Sequence, residues 1–265
     1  MKKTLLLPLL LGTLLSAEVE DTFKIKLGAM FVTNFETEMQ MASNRFPINA
    51  TINTNDTLGL ESDTNVFRLD GYYRFTDVHS IDFSYFSVNS SGSKVANKDF
   101  EWNGQPVNAG VTVNSYFNMD IYKLNYGYSF YHNEKVELMV SAGLHVTSIE
   151  LGLQASANNL HPTPIDASTS STIPLPVLGF KGEYTIIDKK LFVEYKSDYF
   201  ALKYDNVKGN LISTALNVEY RIIDSVGLGL GYNVNRIHVE GDDGEKKFEV
   251  SNNLSGFVLN LSYIY

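Results

Sequence analysis

Apolar and polar residues alternate along most of this chain, and the alternation is clearest at its end. One face of the closing segment carries five apolar side chains: Phe257, Leu259, Leu261, Tyr263 and Tyr265. Asn260 and Ser262 fall on the opposite face, because successive side chains of a strand point to opposite sides. A soluble domain seldom ends on an apolar strand with a terminal tyrosine, whereas a membrane-spanning barrel needs an apolar outer face and an interfacial aromatic residue there. The ending therefore predicts the closing strand of a transmembrane β-barrel and its C-terminal assembly signal.

Short polar turns separate the alternating segments. Four aromatic-ended strands meet an Asx-type turn and reverse, within residues 73–79, 130–135, 184–189 and 220–225. The connections at the other ends of the strands are mostly longer and cover residues 36–63, 89–114, 155–173, 205–208 and 240–246. Short turns that alternate with long connections are typical of barrels with periplasmic turns and extracellular loops.

These reversals predict about ten strands, an even number that returns the chain to the side on which it began. The approximate spans are 23–35, 64–75, 80–89, 115–131, 136–154, 174–187, 190–204, 208–222, 226–239 and 247–265. The predicted fold is all-β, a closed antiparallel up-and-down transmembrane β-barrel, with about eight or twelve strands as alternatives. A soluble β-sandwich is the competing class, since it also has alternating strands and polar turns.

The apolar set of each strand is expected to face lipid and the polar set to face the lumen. In two segments the apolar residues change parity, from Phe117, Met119 and Ile121 to Tyr122, Leu124, Tyr126 and Tyr128, and from Leu144 and Val146 to Ile149, Leu151 and Leu153. A β-bulge explains such a change, and so does the end of the lipid-facing zone. The sequence leaves both explanations open.

The N-terminus has the three regions of a secretory signal peptide. Two lysines precede a mostly apolar run from Leu5 to Leu15, and small residues follow it. The run is shorter than the roughly 20 residues that a spanning helix requires. We therefore expect residues 1–17 to be a signal peptide and residues 18–265 to form an outer-membrane β-barrel domain. The expected localisation is the outer membrane of a Gram-negative cell.

Composition and charge agree with an envelope protein. The chain has 16 Tyr, 16 Phe and no Cys. Abundant aromatic residues favour strands, and the lack of Cys suits a protein that crosses the periplasm unfolded without forming cross-links. The formal net charge of -9 argues against nucleic acid as a partner.

Charged side chains of both signs recur at inward positions near the predicted periplasmic end. They are Lys24, Lys26, Arg74, Lys181, Lys196 and Arg221 with Asp82, Glu137, Glu183, Glu194 and Glu219. Interspersed charges in a narrow lumen favour pairing because an unpaired buried ion is costly, whereas a selective ion path favours a ring of one sign. The pattern predicts a lumen charge network that plugs the barrel. No wide pore is expected at about ten strands.

Five histidines are candidates for catalytic bases: His79, His132, His145, His161 and His238. Three of them fall in predicted turns or loops, where a solvated histidine is the default, which leaves His145 and His238. Neither begins the histidine-x-serine signature of lipid A deacylases and outer-membrane phospholipases. Asp242-Asp243 near His238 is the closest approach to the acidic and Asp-His pairs of omptin-type proteases. No nucleophile, base and orienting carboxylate can be read from this spacing, so we predict no enzyme and no catalytic residues.

Several segments together resemble an uncharacterised family of outer-membrane β-barrel proteins of Gram-negative bacteria. They are residues 27–33, 66–75, 173–179, 198–202 and 226–233. The resemblance covers nearly the whole predicted mature chain. It implies the barrel fold and brings no activity, substrate or catalytic residues.

The sequence thus favours an integral outer-membrane protein with a structural or surface-interaction role through long extracellular loops. A narrow channel for small solutes or ions is the second interpretation, and a lipid- or peptide-processing enzyme is the third. The expected partners are outer-membrane lipid, lipopolysaccharide and the barrel-assembly machinery, with an extracellular ligand left open. No cofactor or metal is expected.

Overall fold

A computed structural model describes residues 21–43, 46–60, 65–97, 99–102, 105–155, 164–204, 206–242 and 246–265. Ten antiparallel strands form one barrel: β1 (Phe23–Ser43), β3 (Asn65–Thr76), β4 (His79–Val95), β7 (Thr112–His132), β8 (Val136–Ala155), β9 (Ile165–Ile187), β10 (Leu191–Tyr204), β11 (Val207–Ile223), β12 (Val226–Asp242) and β13 (Lys246–Ile264). Strand β13 pairs with β1 and closes the sheet. The predicted ten-stranded antiparallel barrel is confirmed. The predicted signal peptide, residues 1–17, lies outside the described residues.

Apolar and polar residues alternate with a period of two, so one set of side chains lies on the outer surface of the barrel and the other lies in the lumen. Leu216, Val218 and Tyr220 on β11 are exposed on the outer surface, whereas Glu219 and Arg221 at the alternate positions are buried in the lumen. All five apolar residues of the closing strand also point outward, and the backbone of Tyr265 bonds to Thr22 and Phe23. A closed barrel with an apolar outer belt is stable in lipid, because exposure of that apolar surface to water would cost a large free energy.

The two parity changes are not bulges. Strands β4, β7, β8 and β9 pair without a register shift through Phe117–Tyr128 and Leu144–Leu153. Phe117, Met119 and Ile121 keep the inward parity of β7 and are fully buried. The lipid-facing zone ends at these heights, and the apolar residues beyond it fill the lumen instead. A bulge that the sequence did not reveal lies in β1, between Val32 and Asn34.

Much of the predicted extracellular loop sequence is regular structure. Most barrel strands continue beyond the predicted ends, and β2 (Phe46–Asn53) forms a hairpin with the end of β1. The short helix α1 (Thr54–Leu58) follows it, and β5 (Phe100–Trp102) pairs with β6 (Gln105–Val107) between β4 and β7. Among the described residues, no helix is long and apolar enough to cross a membrane.

Candidate functional site in the barrel lumen

The periplasmic half of the lumen contains two buried lysine–glutamate pairs at its centre. Lys24 Nζ lies 3.1 Å from Glu219 Oε1, and Lys26 Nζ lies 3.0 Å from Glu194 Oε1. The Lys24 and Glu219 side chains are only 2% and 3% exposed. Charges this deeply buried need partners with good geometry, since the loss of hydration is several kcal/mol per ion.

Two arginines cover these pairs on the periplasmic side. Arg74 donates two hydrogen bonds to Glu137, at 2.8 and 2.9 Å, and Arg221 forms a bidentate pair with Asp21. Such fork-to-carboxylate pairs are stronger and more directional than a lysine contact. A cavity of about 960 Å³ opens at the periplasmic mouth, and both arginines line it.

Aromatic rings fill the space between the cations. Lys181 Nζ lies 4.6 Å from the centre of the Tyr72 ring, and the Arg221 guanidinium lies 4.3 Å from the centre of the Phe192 ring. Both distances are in the range of cation–π contacts. The rings therefore lie between like-charged groups.

The remaining sequence-predicted lumen residues join the same network. Lys181 contacts Glu194 at 3.6 Å and Glu183 at 4.0 Å, and Lys196 contacts Asp82 at 3.5 Å. Among the described residues, the ion-paired lumen side chains comprise Lys24, Lys26, Arg68, Arg74, Lys123, Lys181, Lys196 and Arg221, and Asp21, Asp70, Asp82, Glu137, Glu183, Glu194, Asp198 and Glu219. These two sets have equal numbers of cations and anions, so the network requires no net counter-charge.

The sequence did not single out the upper members of this network. Lys123 Nζ lies 3.1 Å from Asp198 Oδ2, and Arg68 pairs with Asp70 on its own strand. They line a cavity of about 70 Å³ at mid-height, which has room for several waters. The parity change in β7 obscures the inward direction of Lys123. Arg68 and Asp70 alternate with the apolar Phe67 and Leu69, so their parity indicates the lumen but does not show that they pair.

Above this cavity the lumen filling is mainly apolar, although buried polar side chains such as Thr37 and Asn252 lie beside it. Its buried residues come from the barrel wall and from the segments between strands, and they include Met30, Phe35, Leu58, Leu60, Val66, Phe86, Val88, Phe100, Trp102, Val107, Phe117, Met119, Ile121, Leu151, Leu153, Leu254 and Val258. Ser115 Oγ donates to the carbonyl of Leu58, and Trp102 Nε1 donates to the carbonyl of Ala167. Helix α1 and the β5–β6 hairpin therefore pack inward against the wall.

The histidines occupy four different environments. His79 lies on the outer surface and bonds to Tyr126, and His132 lies at the periplasmic mouth, 3.9 Å from Glu137. His145 is fully buried, and neither ring nitrogen has a hydrogen-bond partner. His238 lies on the outer surface of β12, where Nδ1 is 2.8 Å from Ser251 Oγ. His161 lies outside the described residues.

No family model matches the sequence, and a comparison with curated proteins finds no relative. Solved structures do match. The outer-membrane protease OmpT from Escherichia coli aligns over 96% of this chain and 99% of its own, with a TM-score of 0.60 and 10% identity. The translocator domain of the autotransporter NalP from Neisseria meningitidis covers 91% of this chain and 88% of its own, with a TM-score of 0.49 and 8% identity.

This is the fold of a Gram-negative outer-membrane β-barrel. The lipid-facing belt agrees with it, and the predicted outer-membrane localisation is confirmed. An identity of 10% shows the fold alone and brings neither an activity nor site residues from the protease.

Proposed function

We propose that this protein is an integral outer-membrane barrel with a sealed lumen, and that it acts through its extracellular rim in a structural or surface-interaction role. The proposal rests on two groups of side chains that occupy the lumen, one above the other. A balanced ion-pair network crosses the lumen between the periplasmic mouth and mid-height, and a packed apolar cluster fills much of the half above it.

Each filling opposes conduction for a different reason. An ion that enters from the periplasm has to displace a partner from pairs such as Lys24–Glu219, which are buried and close. An ion that goes further meets apolar side chains, and a narrow hydrophobic constriction excludes water. Because the two barriers lie in series, the apolar filling should keep any conductance small when only the ionic filling is weakened.

Conductance of the purified protein in planar bilayers tests the sealed lumen. We expect little or no wild-type conductance. Arg74→Ala combined with Arg221→Ala leaves unpaired carboxylates that attract water and cations, so a small cation-selective conductance is expected in that variant. Arg236→Ala is the matched control, because Arg236 lies on the outer surface. Large, steady wild-type conductance would overturn the sealed lumen and favour a narrow channel for small solutes or ions.

The mature protein is proposed to contact outer-membrane lipid and lipopolysaccharide around its belt. Above the belt, the outward residues of β4 become polar, with Ser87, Asn89, Ser91 and Ser93 after Tyr85. The long strand ends thus present polar surface beyond the hydrocarbon, which suits contact with sugars or with a partner outside the cell. Extracted protein should retain lipopolysaccharide through mild detergent purification, and its complete loss would count against that contact.

The closing strand is proposed to be the signal that the barrel-assembly machinery recognises. Phe257, Leu259, Leu261, Tyr263 and Tyr265 form an uninterrupted outward row. Tyr265→Asp should lower the membrane yield and the heat-modifiable mobility on unboiled gels, whereas Ser262→Ala on the inner face of the same strand should not. Normal assembly of the Tyr265 variant would overturn this role.

A further inference from the structure

An outward-facing serine and histidine lie directly opposite each other on two neighbouring strands. His238 of β12 pairs in register with Ser251 of β13, and Ser251 Oγ is 2.8 Å from His238 Nδ1. This distance is within the range over which a histidine base takes a proton from a nucleophilic hydroxyl. The residues are 13 positions apart in the sequence, so no local signature announces the pair.

A carboxylate stands on the other side of the imidazole. Glu240 Oε2 lies 3.9 Å from His238 Nε2, and its second oxygen accepts a hydrogen bond from Lys208. A negative charge near Nε2 favours the tautomer with the proton on that nitrogen, which leaves Nδ1 free to accept the serine proton. Glu249 is a second carboxylate at 3.9 Å, but it is on the Nδ1 side, where Ser251 lies.

This combination is specific to one histidine among the four that the structure describes. His79 bonds to a tyrosine, His132 has a carboxylate nearby without a serine, and His145 has no hydrogen-bond partner. A serine near a histidine is common by chance. A serine, a histidine and a carboxylate that also pairs with a lysine have the residue types of the nucleophile, base and orienting group of acyl transfer.

The height of the triad on the barrel indicates the class of substrate. Val234 is the last apolar outward residue of β12, and His238 lies four residues further, roughly 13 Å along the strand or roughly 10 Å along the membrane normal. That distance places the triad beyond the hydrocarbon, in the polar headgroup region. Arg236 lies outward between Val234 and His238, and its side chain makes no ion pair or hydrogen bond among the described residues. An exposed cation at this height suits a phosphate or carboxylate.

We infer that Ser251, His238 and Glu240 form a hydrolytic site on the outer wall of the barrel, which cleaves acyl esters of anionic amphiphiles in the outer leaflet. Ser251 Oγ attacks the ester carbonyl carbon, and its proton passes to His238 Nδ1. The C–O bond of the tetrahedral intermediate breaks, and the leaving alkoxide takes that proton. Water then attacks the acyl-serine ester and gives its proton to His238. The fatty acid leaves, the proton returns to Ser251, and the net reaction is ester plus water to acid plus alcohol.

Glu240 is a positioning residue in this mechanism, and Arg236 is placed to bind the anionic headgroup. The activity is independent of the sealed lumen, because the triad faces the membrane and not the barrel interior. A conducting barrel would leave this inference unchanged.

Labelling with an alkyl fluorophosphonate tests the nucleophile in the purified, detergent-solubilised barrel. We expect one covalent adduct, mapped to Ser251 by peptide mass spectrometry and absent in Ser251→Ala. His238→Ala and His238→Gln should slow labelling by roughly 10² to 10⁴-fold, the contribution of a general base. Ser255→Ala is the matched control, because Ser255 is an outward serine of the same strand that bonds to Tyr232 and not to a histidine. Heat-modifiable mobility verifies that each variant is folded.

Fatty-acid release then identifies the substrate. Vesicles of lipopolysaccharide and vesicles of anionic glycerophospholipid are compared, and release from either supports the site and names the source. Glu240→Gln should lower kcat with KM nearly unchanged, whereas Arg236→Ala should raise KM. No adduct on the wild type, an adduct that persists in Ser251→Ala, labelling insensitive to both His238 variants, or no fatty acid released from either vesicle would overturn the inference.

Discussion

The two halves of the lumen are filled by opposite chemistry within one continuous wall. Strand β7 contributes to both, with Lys123 and Asn125 in the polar region and Phe117, Met119 and Ile121 in the apolar region. The periplasmic half uses long charged side chains that reach across the lumen from the wall alone. The extracellular half is packed with apolar side chains that reach less far, and residues of α1 and of the β5–β6 hairpin fill the remaining space. A charged side chain is stable in the lumen only beside a matched partner, whereas an apolar side chain requires only close packing.

The largest effect should come from an uncompensated charge in the periplasmic half. Glu219→Ala leaves Lys24 buried without its 3.1 Å partner, and a loss of about 3 to 5 kcal/mol in the free energy of unfolding is expected. Urea titration of refolding into lipid vesicles measures it. Glu219→Leu together with Lys24→Met should recover most of the loss, because no ion then remains unpaired. A double variant as unstable as the single one would show that packing, not charge, governs this half.

In the apolar half the loss should depend on volume and not on pairing. Phe117 is fully buried, with its ring centre 5.1 Å from that of Phe35, and Phe117→Ala should cost at least about 3 kcal/mol. Phe117→Leu should cost clearly less because it leaves a smaller cavity. The same titrations apply. If Phe117→Ala costs less than about 1 kcal/mol, the apolar cluster is too loosely packed to act as a barrier.

The outer wall gives a third point of comparison. Leu230 is 59% exposed on the lipid face, and Leu230→Arg should cost about 2 to 4 kcal/mol if it lies near the midplane. Asn217→Ala on the lumen face removes one 3.0 Å hydrogen bond from Asn260 and should cost about 1 kcal/mol. Equal losses in refolding titrations would contradict the assignment of the two faces.

A smaller effect than that of Leu230→Arg is expected where the segment after α1 contacts β4. A Cβ atom on Gly92 would lie 2.0 Å from the carbonyl oxygen of Gly59, so Gly92→Ala should displace that segment at a cost of about 1 to 3 kcal/mol. Gly209→Ala is the control, since its nearest neighbour would be 3.8 Å away. Limited proteolysis should cut the Gly92 variant faster near Gly59. Unchanged protection would show that this segment does not depend on the close contact.

Much of the candidate site could be predicted from parity alone. Lys24, Arg74 and Glu219 alternate with apolar residues, and in a membrane barrel the polar parity has only the lumen to face. The parity of a charged residue does not show which residue it pairs with. Lys24 and Glu219 are 195 residues apart, and they meet only because the barrel closes between β13 and β1. The triad on the outer wall was missed for the same reason, since Ser251 reaches His238 through strand register.

The sequence by itself determined which side chains form the outer surface. Lipid accepts only apolar side chains there, and every second residue of a strand faces it. The sequence also predicted about ten strands and the presence of buried charges of both signs, while the structure decided the exact strand number. Only the tertiary structure decided which charges pair, where the lumen changes from ionic to apolar, and which connections fold inward. Those outcomes depend on closure and stagger between strands distant in the chain, and the alternation of neighbouring residues contains no information about either.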